Sequence, residues 1–393
     1  MVPRVGEEAV VAAIEQALRR GTLALLAGTG MVDQASGAVL PEDRADLLWH
    51  SYSGGGVDIS GPAAEARKQI GQSFSFSADY YVDAISGASI DVITTASAYE
   101  EERTEYGIGL DYLRGETTLS FAWSDSSEND YQAKTAVFGA SHDMFGDLTT
   151  VAISYARGWD TVGKRNDPDF EEPTDRRTWR LGLTQILTPS LIAALNFETV
   201  SDEGFLNNPY RSVRYLDPDS PRGYSYQPEV YPRTRTSNAA SISLRYFLPW
   251  RAALSGSYRF FTDTWGIQAH TVEVGLAQPW RERWIFETRL RYYTQEAADF
   301  YSDLYPRKDY QNYLARDKEL SQFSDRLVGI GVSYDFLTEG WGFIDRGSLN
   351  FKWDYMLFDY DNFRDLREGG VPGEEPLYSF GAHVVQLYLS IWY

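Results

Sequence analysis

The chain contains four histidines, His50, His142, His270 and His383, and any general-base chemistry falls to them first. A hydrolase needs one of them within hydrogen-bond reach of a serine or a water-activating aspartate, with a third group orienting the ring. His270 follows Thr262-Asp263-Thr264 across a short hairpin and is the best placed to bring His, Asp and Thr together; His142 falls beside the turn residues Gly146-Asp147. No histidines share metal-ligand spacing. Without cysteine there is no thiolate site, disulfide, c-type haem attachment or lipoprotein anchor. Asp167-Pro168-Asp169 and Asp217-Pro218-Asp219 offer carboxylates to Ca²⁺ or to lipopolysaccharide-bridging cations, although two acids around a proline more often make a solvated turn. The expectation is therefore no catalytic site, no cofactor, no metal beyond those loop carboxylates, and a rim role for His270.

The elements that carry these residues have a two-residue period. In the last ten residues Val385, Leu387, Leu389, Ile391 and Tyr393 alternate with Gln386, Tyr388, Ser390 and Trp392. So apolar a strand ending on an aromatic would aggregate as a free edge, but it suits the closing strand of a membrane barrel. Leu387, Leu389, Ile391, Trp392 and Tyr393 thus read as an assembly signal for the barrel-assembly machinery. The alternation recurs from Val39 onward, for example at Phe74-Phe76-Ala78-Tyr80, Tyr106-Ile108-Leu110-Tyr112, Trp179-Leu181-Leu183 and Leu349-Phe351-Trp353-Tyr355. Short turns at Gly71-Gln72, Gly115-Glu116, Gly146-Asp147, Thr188–Ser190, Pro249-Trp250 and Pro279–Arg283 alternate with long polar stretches near 84–102, 161–175, 204–236, 298–323 and 361–379. Counting back from Tyr393 gives strands at about 44–53 and 57–70 and a total of about sixteen, or fourteen without that first hairpin. The fold class is all-β, a transmembrane antiparallel barrel with short periplasmic turns and long external loops.

Composition agrees. The 393 residues include 27 Tyr and 11 Trp, yet the mean hydropathy is only −0.38. Apolar residues facing lipid, polar residues facing a lumen and aromatic girdles produce that mixture. No apolar run reaches the roughly 18–20 residues of a spanning helix. A net charge of −20 argues against a nucleic-acid partner. A soluble β-sandwich would leave Phe351, Trp353 and Tyr355 in a large exposed patch.

Residues 7–20 read as a weakly amphipathic helix, and residues 1–38 as an atypical leader cleaved after Ala38, with a misassigned start explaining its length. The barrel then spans 39–393. In the strand at 284–292, Glu287, Arg289 and Arg291 share one face; slipping by one residue would turn them to lipid, at about 2–4 kcal/mol for an arginine at the midplane. The same parity lines the lumen with Asp79, Asp83, Glu105, Asp111, Asp335, Lys352 and Asp354 on one side. Arg180, Glu198, Arg245, Arg259, Glu273, Glu287, Arg289 and Arg291 lie on the other. Acids against arginines imply a transverse field; the bland alternative is a packed salt-bridge network. The Tyr- and Arg-rich stretch 204–236 folds inward as a constriction, faces a partner, or forms an ordered external cap.

The stretches LPEDRADLLWHSYSGGGVDISGP, FSADYYVDAISGASIDVITTAS, RTEYGIGLDYL and GDLTTVAISYARGWD resemble a family of proteobacterial outer-membrane barrel proteins catalogued as a domain of unknown function. The resemblance covers about 39–393. It implies a barrel in the bacterial outer membrane, in contact with the lipid bilayer and lipopolysaccharide, and supplies no substrate or catalytic residue. Family members look associated with periplasmic redox and flavin-attachment proteins. Two functions are expected of such a chain. One is a passive or weakly selective channel for small polar solutes. The other is a structural barrel holding a periplasmic or surface partner, such as a redox component, export component or lipoprotein.

Overall fold

A computed structural model describes residues 39–87, 99–164, 167–338 and 340–393; the leader and the helix expected at 7–20 lie outside the described residues. The chain forms β1 (Arg44–Gly54), β2 (Val57–Ile70), β3 (Phe74–Gly87), β4 (Tyr99–Arg114), β5 (Thr117–Ser127), β6 (Tyr131–Met144), β7 (Thr149–Gly163), β8 (Glu171–Thr188) and β9 (Leu191–Gly204). After a small hairpin, β10 (Ser212–Leu216) and β11 (Tyr224–Pro228), come β12 (Thr234–Phe247), β13 (Ala253–Asp263), β14 (Gln268–Trp280), β15 (Trp284–Gln295), β16 (Phe323–Leu337), β17 (Arg346–Arg364) and β18 (Leu377–Trp392). All except the hairpin strands join one closed antiparallel ring, sixteen strands in chain order. β1 closes on β18, from Arg44↔Trp392 to Gly54↔Ala382. Both strands of the first hairpin form where the sequence places them.

Alternation decides which face each side chain takes. Phe76, Ile108, Phe138, Leu181, Leu290 and Val328 all stand exposed on the outer wall. Around a closed ring without free edges that apolar surface is the lipid face, and the protein is a bacterial outer-membrane barrel. The two-residue turn Gly115-Glu116 needs a positive φ, and Gly115 supplies it at 59°. The strands outrun the apolar belt: β3 continues to Gly87 and β8 begins at Glu171, so the external connections are shorter than the polar stretches suggested. Backbone pairing persists where the outer face is already polar, and alternation fades there before the ladder ends.

Candidate functional site

The lumen is the inner face of the ring. Its charged side chains mostly meet a neighbour on an adjacent or next-but-one strand. Arg180 donates to Glu198 at 2.7 Å, and Arg259 reaches the same carboxylate at 3.3 Å. Arg289 donates to Asp354 at 2.7 Å and Arg291 to Asp325 at 2.8 Å. Lys352 lies 3.7 Å from Glu287, and Glu105 accepts from Arg103 at 2.8 Å. Arg176–Asp202 and Arg235–Asp263, which the sequence reading passed over, are each 2.6 Å apart. The electrostatic pattern is thus of local pairs more than of two facing walls. Even so, β1–β4 carry Asp46, Glu65, Asp79, Asp83, Glu105 and Asp111 against Arg44, Arg67 and Arg103. Arg245, near the periplasmic end of β12, is exposed and has no ion pair among the described residues. Glu273 shares its face with Arg291 across the β14–β15 ladder, and Asp335 sits at a bulge beside the periplasmic turn.

The external mouth is covered by three connections: 205–233 (which carries β10 and β11), 296–322 and 365–376. Arg214 of β10 is fully buried. Its Nε donates to the backbone oxygen of Asp303 at 2.9 Å, Nη1 to Glu375 at 2.5 Å, and Nη2 to the Asp303 carboxylate. Burial opposes charge on Arg214, but Glu375 and Asp303 hold it more firmly protonated than usual. Arg316 shares Asp303 at 2.9 Å. Backbone bonds link Leu216 to Tyr305 and pair Val230 with Leu314 in both directions. Tyr231, Trp265, Ile267, Phe300 and Leu320 form one apolar cluster, and Val213, Tyr305 and Leu314 another. Glu229 accepts from the Tyr231 hydroxyl and from the backbone N–H of Arg316, both at 2.7 Å. Burial dominates its titration and pushes it up to about 7, against the pull of Arg211 and those two donors.

This cap crosses the mouth. Tyr210 donates to Asp130, in the connection between β5 and β6, at 2.6 Å. A few residues later Arg214 holds Glu375, between β17 and β18. Those connections are six strands apart by the shorter way round the ring. Of the three readings of 204–236, an ordered cap lying over the lumen is what the contacts describe. The expected loop carboxylates are turn residues: Asp217 accepts from the Asp219 N–H at 3.1 Å and from Ser225 at 2.5 Å, and the Asp167 carbonyl accepts from the Phe170 N–H at 3.0 Å. Asp169 is exposed. Among the described residues no group of three or more His, Asp or Glu could hold a metal ion.

The histidine constellation at 262–270 does not form. Asp263 turns inward, accepting from Trp265 N–H, Ile267 N–H and Arg235. His270 turns outward, with Nδ1 2.8 Å from the Tyr258 hydroxyl. The β13–β14 turn pairs Thr262 with Gln268, which sets Asp263 and His270 on opposite faces of the wall. His142 and His383 are also on the outer wall, His142 2.9 Å from Thr117 and His383 beside Tyr355. His50 alone faces inward. Its Nε2 lies 2.6 Å from Asp83 and 3.0 Å from the Tyr81 hydroxyl, and its ring stacks on Tyr81 at 4.9 Å. His50 is on β1 and Asp83 on β3; it reaches across β2 because Gly61, opposite it, has no side chain. A Cβ at Gly61 would stand 1.8 Å from the Val82 carbonyl oxygen. The mid-strand Gly61-Pro62 was the available signal, since such a pair marks close approach or a broken ladder.

The chain is similar in fold to several solved outer-membrane structures. A bacterial polysaccharide outer membrane secretin is 7% identical with a TM-score of 0.48, over 90% of this chain and 100% of that one. An OmpT loop-deletion variant, an outer membrane protein of Vibrio cholerae, is 10% identical with a TM-score of 0.43, over 89% and 98%. A Pseudomonas aeruginosa FadL homologue is 10% identical with a TM-score of 0.42, over 90% and 91%. No curated protein matches the chain. From the connection after β3 to the turn after β16, residues 93–343 match the family described as a protein of unknown function, DUF3570, and the chain belongs to that family.

Proposed function

We propose that the barrel is a passive or weakly selective channel for small polar solutes, entered from outside past the cap. The observation that carries this reading is exposed charge on the inner face of the ring. Arg245 and Asp79 are exposed on the inner face, and Glu287 and Arg180 keep about 43% and 41% of their surface. A ring of this width is not filled by its wall side chains. With its histidines outside the lumen or buried, the chain is read as a channel and not an enzyme. Single-channel recording in a planar bilayer tests it. Neutralising Arg245, Arg259, Arg289 and Arg291 should shift the reversal potential toward cations, and neutralising Asp79 and Asp111 toward anions. Both shifts should shrink at high salt, where fields are screened within a few ångströms.

The cap favours a second reading, a structural barrel that holds a periplasmic or surface partner. Absence of conductance in the wild type and in a cap-loosened variant alike would end the channel reading and leave this one.

A further inference from the structure

We propose that the outer wall across β6, β7 and β8 binds the phosphate groups of an outer-leaflet glycolipid, lipopolysaccharide. Lys134, Arg157 and Arg177 point outward from these three successive strands, with about 50%, 41% and 41% of their surface free. They lie at and immediately above an aromatic row. The ring centroids of Trp123 and Trp159 are 6.1 Å apart, and those of Tyr155 and Trp179 5.6 Å. Such rows mark the membrane–water interface, and this one is on the side of the long connections, so the three cations stand at the outer headgroup level.

Their pairing is incomplete. Arg157 and Arg177 are directly opposite each other in the β7–β8 ladder, a like-charge placement that is unfavourable unless an anion sits between them. One carboxylate serves both: Asp175 takes Nη2 of Arg157 at 2.6 Å and lies 2.9 Å from Nε of Arg177. Arg157 also lies over Trp159, 5.0 Å from the ring centroid. Lys134, opposite Trp159 on the β6–β7 ladder, is 3.7 Å from Asp125 and only loosely held. The cluster is local, with the exposed Glu203 opposite Asp175 at its β9 edge. The row continues onto β9 and β12 as Ser201 and Thr236, and on the far wall Arg326 has its own acid, Asp359, at 3.7 Å. Two guanidiniums held side by side suit phosphate in a bidentate way, and each keeps much of its surface free to meet one.

The test uses the full barrel refolded in a zwitterionic detergent and titrated with purified bisphosphorylated lipid A, with its dephosphorylated form and with inorganic phosphate. Binding is read by thermophoresis and by the thermal shift of the barrel. Arg157→Gln with Arg177→Gln should weaken lipid A binding at least tenfold and flatten its salt dependence. Asp175→Asn, which removes no cation, should tighten it. Arg326→Gln should leave it unchanged. Equal affinity of wild type and double variant, weaker binding by Asp175→Asn, or equal binding of dephosphorylated lipid A would each overturn the site. Equal protection by inorganic phosphate at the same phosphate concentration would overturn the lipid assignment.

Discussion

Replacing Arg214 by Met keeps the volume of the side chain and removes its charge, so the effect isolates the buried ion pairs. Asp303 would retain Arg316 and the Arg364 N–H. Glu375 would lose both guanidinium bonds and keep the Gly373 N–H, inside a site almost closed to water. Removing one partner of such a buried pair costs about 3–5 kcal/mol. The barrel ladder does not depend on Arg214, so the loss falls on the cap, and its open population should rise by roughly two to three and a half orders of magnitude. Limited proteolysis should then cut between 205 and 233 in folded, gel-shifted barrel, and open-channel conductance should increase. Adding Glu375→Gln should recover part of the loss by removing the orphaned charge. Proteolysis at the wild-type rate with unchanged conductance would refute the view that these ion pairs hold the cap.

Glu229 gives the cap a pH dependence. Its folded value is raised above the unfolded one, so between the ordinary carboxylate range and about 7 the folded cap binds more protons, and its stability falls as pH rises. Protection of 205–233 from hydrogen exchange should therefore be greater at pH 5 than at pH 8, with the difference abolished by Glu229→Gln. Gly61→Ala should lower the melting temperature in detergent, at about 1–3 kcal/mol, because the new Cβ meets the Val82 carbonyl; an unchanged melting point would show that β2 can shift freely. At the seam, Trp392 lies under Arg346 at 3.9 Å and the Tyr393 hydroxyl donates to the Arg67 carbonyl at 3.0 Å. Trp392→Ala with Tyr393→Ala should slow assembly, seen as less of the fast-migrating unboiled species on detergent gels.

The wall was legible because lipid imposes one rule on every strand. Phe76, Leu181 and Leu290 announce their face by parity, and the tight turns announce themselves by glycine. The cap was not, since its defining contacts join residues far apart in the chain: Arg214 to Glu375, Tyr210 to Asp130. No local pattern encodes such partners. His270 shows a finer limit. Whether it shares a face with Asp263 depends on the turn between them, and a miscount of one residue reverses the answer. His50 and Asp83 are a third case, joined over a strand whose only comment is a missing side chain.

A ring of strands linked edge to edge is stiff along each ladder and compliant to ovalisation, because neighbouring strands need only hinge slightly for the section to become an ellipse. The 210–214 segment ties two connections six strands apart and so acts as a strut across the outer rim. Lateral pressure in the membrane that squeezes the section must stretch or buckle this strut, while the periplasmic rim, crossed by no such member among the described residues, remains free to flex. The barrel is therefore mechanically a hoop braced at one end, and deformation imposed from the outer leaflet is transmitted first to the buried Arg214 ion pairs.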